Sequence, residues 1–286
     1  MFGECHAHLF MNGVNYQEAV RLHESQVCRE TVRAYFQEYQ KRGVSYIRDG
    51  GDRFGVSAWA RSVAEEYGIT YRTPLFAIHR DHRYGSIVGK GFANMKEYHA
   101  LVKEVRREGG HFIKVMFSGI MDFDRPGVVT GTPLEPEEIR EMIRIAHEEG
   151  LALMAHVNGK ETVKYAAAYG ADSVEHGAYI DRECMEVMAE MQTVWVPTVV
   201  TVKNLMGSGR FSETAVREIY ERDAANIRMA YQMGVPLALG SDAGAYRVRH
   251  GEGIVEEYRA FQEILGAGEA LDGYLAKGEA RIREKF

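Results

Sequence analysis

The sequence alternates short apolar runs with amphipathic helical patterns from its start to its end. The apolar runs are rich in Val, Ile and Leu, which is typical of strands buried on both faces of a sheet. Strict alternation of strands and helices predicts a parallel sheet. The eight predicted strands cover residues 2–9, 44–48, 71–78, 111–117, 151–155, 173–175, 193–200 and 236–240.

Apolar residues at helical spacing, mostly ended by glycine, predict the connecting helices. Residues 12–27 are polar without a clear period, and we expect them to be irregular. The predicted helices cover residues 30–42, 57–67, 95–107, 136–149, 161–169, 182–191, 213–233 and 254–265, followed by a charged helical tail at 271–286.

Eight strand–helix units in 286 residues indicate a closed (β/α)8 TIM barrel, an α/β fold that takes roughly 250 residues. No Gly-x-Gly-x-x-Gly follows a predicted strand, so an open dinucleotide-binding sheet has no support. We find no linker and no repeat beyond the strand–helix unit. The sequence therefore predicts a single domain over residues 1–286.

Composition excludes several classes of partner. The net charge of −6 argues against a surface dedicated to nucleic acid. The cysteines, Cys5, Cys28 and Cys184, are odd in number and lack the CxxC spacing, which favours reduced thiols. There is no leader pattern and no run of eighteen apolar residues. We expect a cytoplasmic protein that has a small-molecule substrate and neither a nucleic-acid nor a membrane partner.

Polar residues with metal-binding chemistry stand at the ends of five predicted strands. Two histidines separated by one residue share a face of the first strand. A lone histidine at a strand end is more often a packing residue, and a lone aspartate before Ala-Gly is usually a turn former. A lysine inside an apolar run is different, because a buried ammonium is normally paired or chemically altered. The six candidates, which would meet at one mouth of the barrel, are His6, His8, Lys114, His156, His176 and Asp242.

These motifs resemble the metal-dependent amidohydrolase superfamily in its binuclear form with a carbamylated lysine. The resemblance spans nearly the whole chain and is nearest to the branch related to prolidase and imidazolonepropionase. Most relatives also carry a small β-sandwich outside the barrel, which we expect to be absent here. The matching motifs are His6-Ala7-His8, Ile113-Lys114-Val115-Met116-Phe117-Ser118-Gly119, Ala155-His156, Glu175-His176-Gly177 and Gly240-Ser241-Asp242-Ala243-Gly244.

The resemblance implies two divalent ions, with Zn²⁺ preferred and Mn²⁺, Co²⁺ or Fe²⁺ as alternatives. His6 and His8 would hold one ion, and His156 and His176 the other. Carbamylated Lys114 would bridge the two ions. Asp242 would be both a ligand and the catalytic base that moves a proton from a metal-bridging hydroxide to the leaving nitrogen.

The predicted activity is hydrolysis of a C–N amide bond in a dipeptide or an N-acyl amino acid. Hydrolysis of a lactone, cyclic imide or cyclic amide on the same metal pair is the alternative, and a non-catalytic ligand-binding barrel is a third reading. A mononuclear deaminase is disfavoured because no glutamate follows His156. The sequence is compatible with a homo-oligomer.

Substrate contacts are expected from loops at the same mouth. Several basic groups follow the third predicted strand and could bind a substrate carboxylate. An ordinary solvent-exposed loop would have the same composition. The candidate contacts are His79, Arg80, His82, Arg83, Tyr179 and His250.

Overall fold

Parallel strands form the inner layer of the structure, a computed structural model that describes residues 2–286. The strands are short and, apart from β3 and β5, almost wholly buried. The strands of the described residues are β1 Glu4–Ala7, β2 Tyr46–Asp49, β3 Thr70–Arg72, β4 Ala77–Arg80, β5 Gly89–Phe92, β6 Ile113–Met116, β7 Leu153–Val157, β8 Ser173–His176 and β9 Val194–Val196.

The strands close into a barrel. They pair in the orders β1-β2-β3 and β5-β4-β6-β7-β8-β9, and every pairing is parallel. Residues 236–239 fill the gap between β9 and β1. On one side the Trp195 amide donates to the Pro236 carbonyl at 2.8 Å, and on the other the Cys5 amide donates to the Leu239 carbonyl at 3.0 Å. The predicted TIM barrel is confirmed.

Helices cover the outside of the barrel. Their apolar faces pack on the strands and form the main core. Their bounds are α1 Tyr16–His23, α2 Arg29–Lys41, α3 Val56–Val63, α4 Met95–Arg107, α5 Pro136–Glu148, α6 Lys160–Ala168, α7 Arg182–Met191, α8 Val200–Lys203, α9 Glu213–Met233, α10 Glu252–Leu265 and α11 Glu269–Lys285, with a 3-10 helix at Ala64–Tyr67.

The predicted strand 193–200 ends at Val196, with α8 beginning at Val200, and residues 236–240 form only isolated strand-like pairing. Three further local predictions were wrong. Residues 12–27 are not irregular, because Asn15 accepts hydrogen bonds from the amides of Gln17 and Glu18 and so begins α1. The third predicted strand is broken into β3 and β4 around Pro74, which has no amide hydrogen to donate. β5 was not predicted, because glycine at two of its four positions hides a strand pattern.

A second, smaller apolar cluster lies at the N-terminal ends of the strands, opposite the mouth. It includes Tyr46, Phe112, Met154 and Phe286, the last contributed from beyond α11. The mouth, where the polar candidates stand, is therefore the less apolar end of the barrel. Within residues 2–286, no helix combines the length and the apolar character needed to cross a bilayer.

Candidate metal centre

His6, His8 and Asp242 lie side by side at the mouth of the barrel. Nε2 of His6 is 3.6 Å from Oδ1 of Asp242, and Nε2 of His8 is 3.8 Å from the same oxygen. The Asp242 amide donates to the carbonyl of His6 at 2.7 Å. This hydrogen bond links the segment that follows residues 236–240 to β1. Asp242 has a φ of +57°, a left-handed conformation that is uncommon for residues other than glycine, although aspartate adopts it more often than most.

His156 and His176 complete a contiguous group of four imidazoles. They stand near or at the ends of the neighbouring strands β7 and β8. The ring centre of His176 is 5.1 Å from that of His6 and 4.6 Å from that of His156. The structure thus brings five of the six candidate ligands into one patch, and the sixth, Lys114, stands inside the barrel on β6.

Each imidazole has one ring nitrogen engaged with the protein, which leaves the other nitrogen available to a ligand. Such contacts fix the ring orientation of metal-binding histidines. The engaged atoms are Nδ1 of His6 with Glu175 Oε2 at 2.7 Å, Nδ1 of His8 with the Gly51 carbonyl at 3.3 Å, Nε2 of His156 with the Gly119 carbonyl at 3.1 Å and Nδ1 of His176 with Thr198 Oγ1 at 2.7 Å.

The four histidines are held in their neutral form. Burial, together with the nearby Lys114 ammonium, lowers the pKa of His8 and of His156 to about 3. Burial also lowers the pKa of His6 and of His176 well below the usual value. Neutral imidazole is the form that binds a metal ion, so the electrostatics of the site favour coordination.

Lys114 and Asp242 carry polar atoms without partners. Lys114 is only 1% exposed. Neither its Nζ nor Oδ1 of Asp242 has a hydrogen-bond partner among the described residues. Burial lowers the pKa of Lys114 and raises that of Asp242. A buried polar group is normally paired. Two orphaned groups beside four neutral imidazoles therefore fit a site built around divalent cations.

A buried charge network behind the histidines escaped the sequence analysis. The guanidinium of Arg48 donates to Glu175 Oε1 at 2.8 Å, to Ser173 Oγ at 2.8 Å and to the Cys5 carbonyl at 2.7 Å. Glu175 in turn contacts His6. The signal was present in the sequence as two charged residues inside predicted strands, where unpaired charges are seldom found.

The basic loop after the third strand is mostly held by protein partners. His79 is buried on β4, and its Nδ1 contacts the Arg80 carbonyl at 2.9 Å. Arg80 pairs with Glu138 at 3.0 Å, and Arg83 donates to the Thr132 carbonyl at 2.6 Å. His82 is exposed. The residue of this loop that reaches the imidazoles is Tyr84, which was not among the candidates.

The other two candidate contacts lie outside the imidazole group. Both ring nitrogens of His250 are engaged, with the Tyr39 hydroxyl at 3.2 Å and the Met11 carbonyl at 2.8 Å. Tyr179 packs on an apolar cluster that includes Met121 and Leu205. Tyr179 follows β8 and so stays at the mouth of the barrel, whereas His250 is committed to packing.

Comparison with known proteins identifies the family. The profile described as "Amidohydrolase family" matches residues 2–269. The chain belongs to this family. The match confirms the predicted superfamily, whose members are hydrolases of carbon–nitrogen bonds that generally use divalent metals. Within residues 2–286, His6, His8 and Asp242 form a group whose ligand atoms all lie within 4.8 Å of one another.

Three proteins illustrate the similarity of this amidohydrolase to others. An uncharacterised Mycobacterium tuberculosis protein, Rv2915c, is 31% identical over 180 residues, 60% of this chain and 47% of that protein. An Aspergillus niger ochratoxinase is 32% identical over 157 residues, 49% of this chain and 32% of that enzyme. The chain thus matches half or less of the length of these relatives.

The structure of a Xaa-Pro dipeptidase with bound methionine superimposes with a TM-score of 0.77. It is 20% identical, and the match covers 99% of this chain and 75% of the dipeptidase. At this identity the likeness establishes the barrel fold.

Proposed function

We propose that the protein is a metal-dependent hydrolase that cleaves a C–N amide bond in a small molecule of the dipeptide or N-acyl amino acid type. The observation that carries the proposal is the group of four imidazoles, each with one ring nitrogen held by the protein, beside the orphaned atoms of Lys114 and Asp242. Membership of the amidohydrolase family supports the reaction class. A Xaa-Pro dipeptidase and an ochratoxinase among the similar proteins support small amide substrates.

The proposed ligand assignment follows from neighbouring positions around the mouth. His6 and His8 hold one ion together with Asp242, and His156 and His176 hold the second. Lys114, once its neutral amine has added CO2 and lost a proton, would be an anionic carbamate that could offer oxygen ligands to the ions. When bound, two divalent ions lower the pKa of a shared water and polarise the scissile carbonyl.

Asp242 moves the proton in this proposal. Its Oδ1 faces both His6 and His8 and has no partner among the described residues. Asp242 takes a proton from the attacking water and delivers it to the leaving nitrogen. The hydrogen bond of its amide to β1 keeps the side chain in place.

Among the six candidate substrate contacts, we propose that His79, His82 and Tyr179 contact the substrate. His79, on β4, pairs with Met116 of β6, the strand that carries Lys114. His82 has an exposed side chain, and Tyr179 lies three residues after His176. Arg80, Arg83 and His250 are satisfied by protein partners, so removing them would first disturb the protein.

The test is metal reconstitution followed by a substrate panel. Protein stripped with a chelator is reloaded with Zn²⁺, Mn²⁺ or Co²⁺, and bound metal is counted by elemental analysis. Xaa-Pro dipeptides, N-acyl amino acids, lactones and hydantoins are then offered, with release of free amine or acid as the readout. We expect about two ions per chain and amine release from the linear amides. Turnover of lactones alone, or an inert protein holding two ions, would overturn the proposal.

A further inference from the structure

His176 is held by residues of β9 and of the turn that follows it. The indole of Trp195, on β9, donates to the His176 carbonyl at 2.8 Å. Beyond the end of the strand, Oγ1 of Thr198 lies 2.7 Å from Nδ1 of the His176 ring. Trp195 therefore fixes the backbone of this candidate ligand, and Thr198 fixes its ring.

The backbone of Thr198 has an unfavourable conformation. β9 ends before Pro197, which has no amide hydrogen to donate to a neighbouring strand. The next residue, Thr198, has a φ of +53°, which is an outlier for a β-branched side chain. A conformation of this kind persists only when the surrounding structure enforces it. Thr198 is completely buried, so the contacts that enforce its conformation come from within the protein.

Glu257, on α10, supplies contacts that fix this turn. Its carboxylate is completely buried. Oε1 accepts a hydrogen bond from the Val199 amide at 3.0 Å, and Oε2 accepts one from the Val200 amide at 2.9 Å. A carboxylate is a stronger acceptor for an amide than a neutral oxygen is. Both oxygens thus bind the two residues that directly follow Thr198, which ties the turn to α10.

We propose that Thr198 is a positioning residue for His176 and that Glu257 keeps Thr198 in place. This inference rests on the proposed function. The Thr198 oxygen accepts the hydrogen on Nδ1 of the neutral ring, and the lone pair then lies on Nε2. The hydrogen bond made by one ring nitrogen decides which nitrogen can bind a metal ion. The Thr198 hydroxyl therefore selects both the direction of the ring and the tautomer that can coordinate a cation.

This support serves one of the two proposed histidine pairs. The ring centre of His176 lies 4.6 Å from that of His156, its partner in the proposed assignment. His6 and His8 have other supports, which are the Glu175 carboxylate and the Gly51 carbonyl. Loss of the Thr198 hydroxyl should therefore weaken the ion held through His176 and spare the ion held by His6 and His8.

The experiment compares Thr198→Val with a matched control, Thr193→Val. Valine has nearly the shape of threonine and is also β-branched, so Thr198→Val removes the hydroxyl and little else. Thr193 directly precedes β9, is 2% exposed, and donates its hydroxyl to the Ala171 carbonyl at 3.1 Å. Thr193→Val therefore makes the same chemical change at a buried position at the opposite end of the same strand.

Zn²⁺ affinity is measured by competition with a chromophoric chelator, starting from protein reloaded with two ions. In Thr198→Val we expect one of the two ions to bind about 10- to 100-fold more weakly, the usual loss when a supporting contact of a metal-binding histidine is removed. The other ion should bind as in wild type, and Thr193→Val should match wild type for both ions.

Two further variants separate the hydroxyl from the fold. Thr198→Ser keeps the hydroxyl, so it should bind both ions as wild type does. Glu257→Gln should weaken the same ion as Thr198→Val, because the side-chain amide has one oxygen for two backbone donors. Thr198→Ala lacks both the hydroxyl and the β-branch, and it replaces Thr198→Val if the valine variant does not fold.

Wild-type affinity for both ions in Thr198→Val would overturn the role of Thr198 and leave the proposed function standing. An equal loss of affinity in Thr198→Val and Thr198→Ser would also overturn it, because the hydroxyl would then not be the group that matters. A wild-type protein that binds fewer than two ions would instead overturn the proposed function, and this inference with it.

Discussion

Arg48 and Glu175 form an ion pair in the interior of the barrel, with Nη2 of Arg48 and Oε1 of Glu175 2.8 Å apart and both side chains inaccessible to solvent. The second oxygen of Glu175 contacts Nδ1 of His6 at 2.7 Å. One carboxylate is thus shared between a structural cation and a proposed metal ligand. Since the Arg48 guanidinium also lies 4.4 Å from the ring centre of Phe286, the network runs from the N-terminal end of the barrel to its mouth.

Glu175→Gln should weaken metal binding without removing a ligand. The amide cannot act as an anionic acceptor for the His6 ring, so the imidazole becomes less basic and less well oriented. Loss of such a supporting contact typically lowers metal affinity by about 10- to 100-fold. Competition with a chromophoric chelator measures the change.

Glu141→Gln is the matched control for Glu175→Gln, because Glu141 pairs with Arg144 on the protein surface. Its metal affinity should equal that of wild type. Glu175→Gln should also lower the free energy of unfolding, because Arg48 then stays buried without a full charge partner. Wild-type metal affinity in Glu175→Gln would show that the Arg48–Glu175 pair only stabilises the fold.

Lys114→Met should reduce bound metal to about one ion per chain or less and abolish turnover. Methionine keeps the apolar part of the side chain and removes the orphaned Nζ. A loss of metal or of turnover would therefore be due to the missing nitrogen. With ¹³C-labelled bicarbonate and Zn²⁺, the wild-type protein should show a carbamate carbon signal that Lys114→Met lacks. Lys90→Met, which removes a partly exposed lysine paired with Glu104, should behave as wild type. Full activity of Lys114→Met would exclude a bridging carbamate.

The barrel was predictable because its physical causes are local and repeated. Eight apolar runs and intervening helical patterns report burial on both faces of a strand and on one face of a helix. The predictions failed where the cause is a single contact. The cap at Asn15 that begins α1, and the glycine-rich β5, leave no periodic trace in the sequence.

The histidines of the site were predictable for a related reason. His6 lies on β1 and His8 follows its last residue, and His156 and His176 end or nearly end their strands, so strand direction alone brings the four together. Tyr84 could not be found in this way, because its direction depends on the approach of Gly85 to His79 in a turn. The partners of Arg80 and Arg83 likewise come from Glu138 and Thr132, which lie about fifty residues away.

Asp242→Asn should retain metal and lose most of the turnover. Asparagine keeps an oxygen ligand near His6 and His8 but cannot accept and return a proton. General acid–base groups usually contribute about 10²- to 10⁴-fold to the rate, so kcat should fall by that factor while KM changes little. Asp181→Asn changes an aspartate that caps α7, and it should lower stability without this loss of kcat. Intact turnover by Asp242→Asn would mean that another group moves the proton.

Asp223, which is not part of the metal centre, should make the free energy of unfolding depend on pH. This α9 carboxyl is 9% exposed, and burial raises its pKa to about 7. Its pKa in the unfolded chain is about 4, so folding takes up a proton between these values. The stability contributed by the protonated form is complete below pH 4 and declines as pH rises to about 7. Asp223→Asn should remove this decline.

The difference in unfolding free energy between Asp223→Asn and wild type isolates this effect. It should increase with pH by at most about 1.4 kcal/mol per unit and level off above pH 7. Urea unfolding of the holoenzyme at pH 5, 6, 7 and 8 measures it. Asp122→Asn is the control of opposite sign, because Arg125 lowers the pKa of Asp122, so its effect should be constant over this range. A difference that does not change with pH would show that Asp223 is already ionised in the folded protein at pH 5, because a hydrated or paired carboxylate there would have its ordinary pKa.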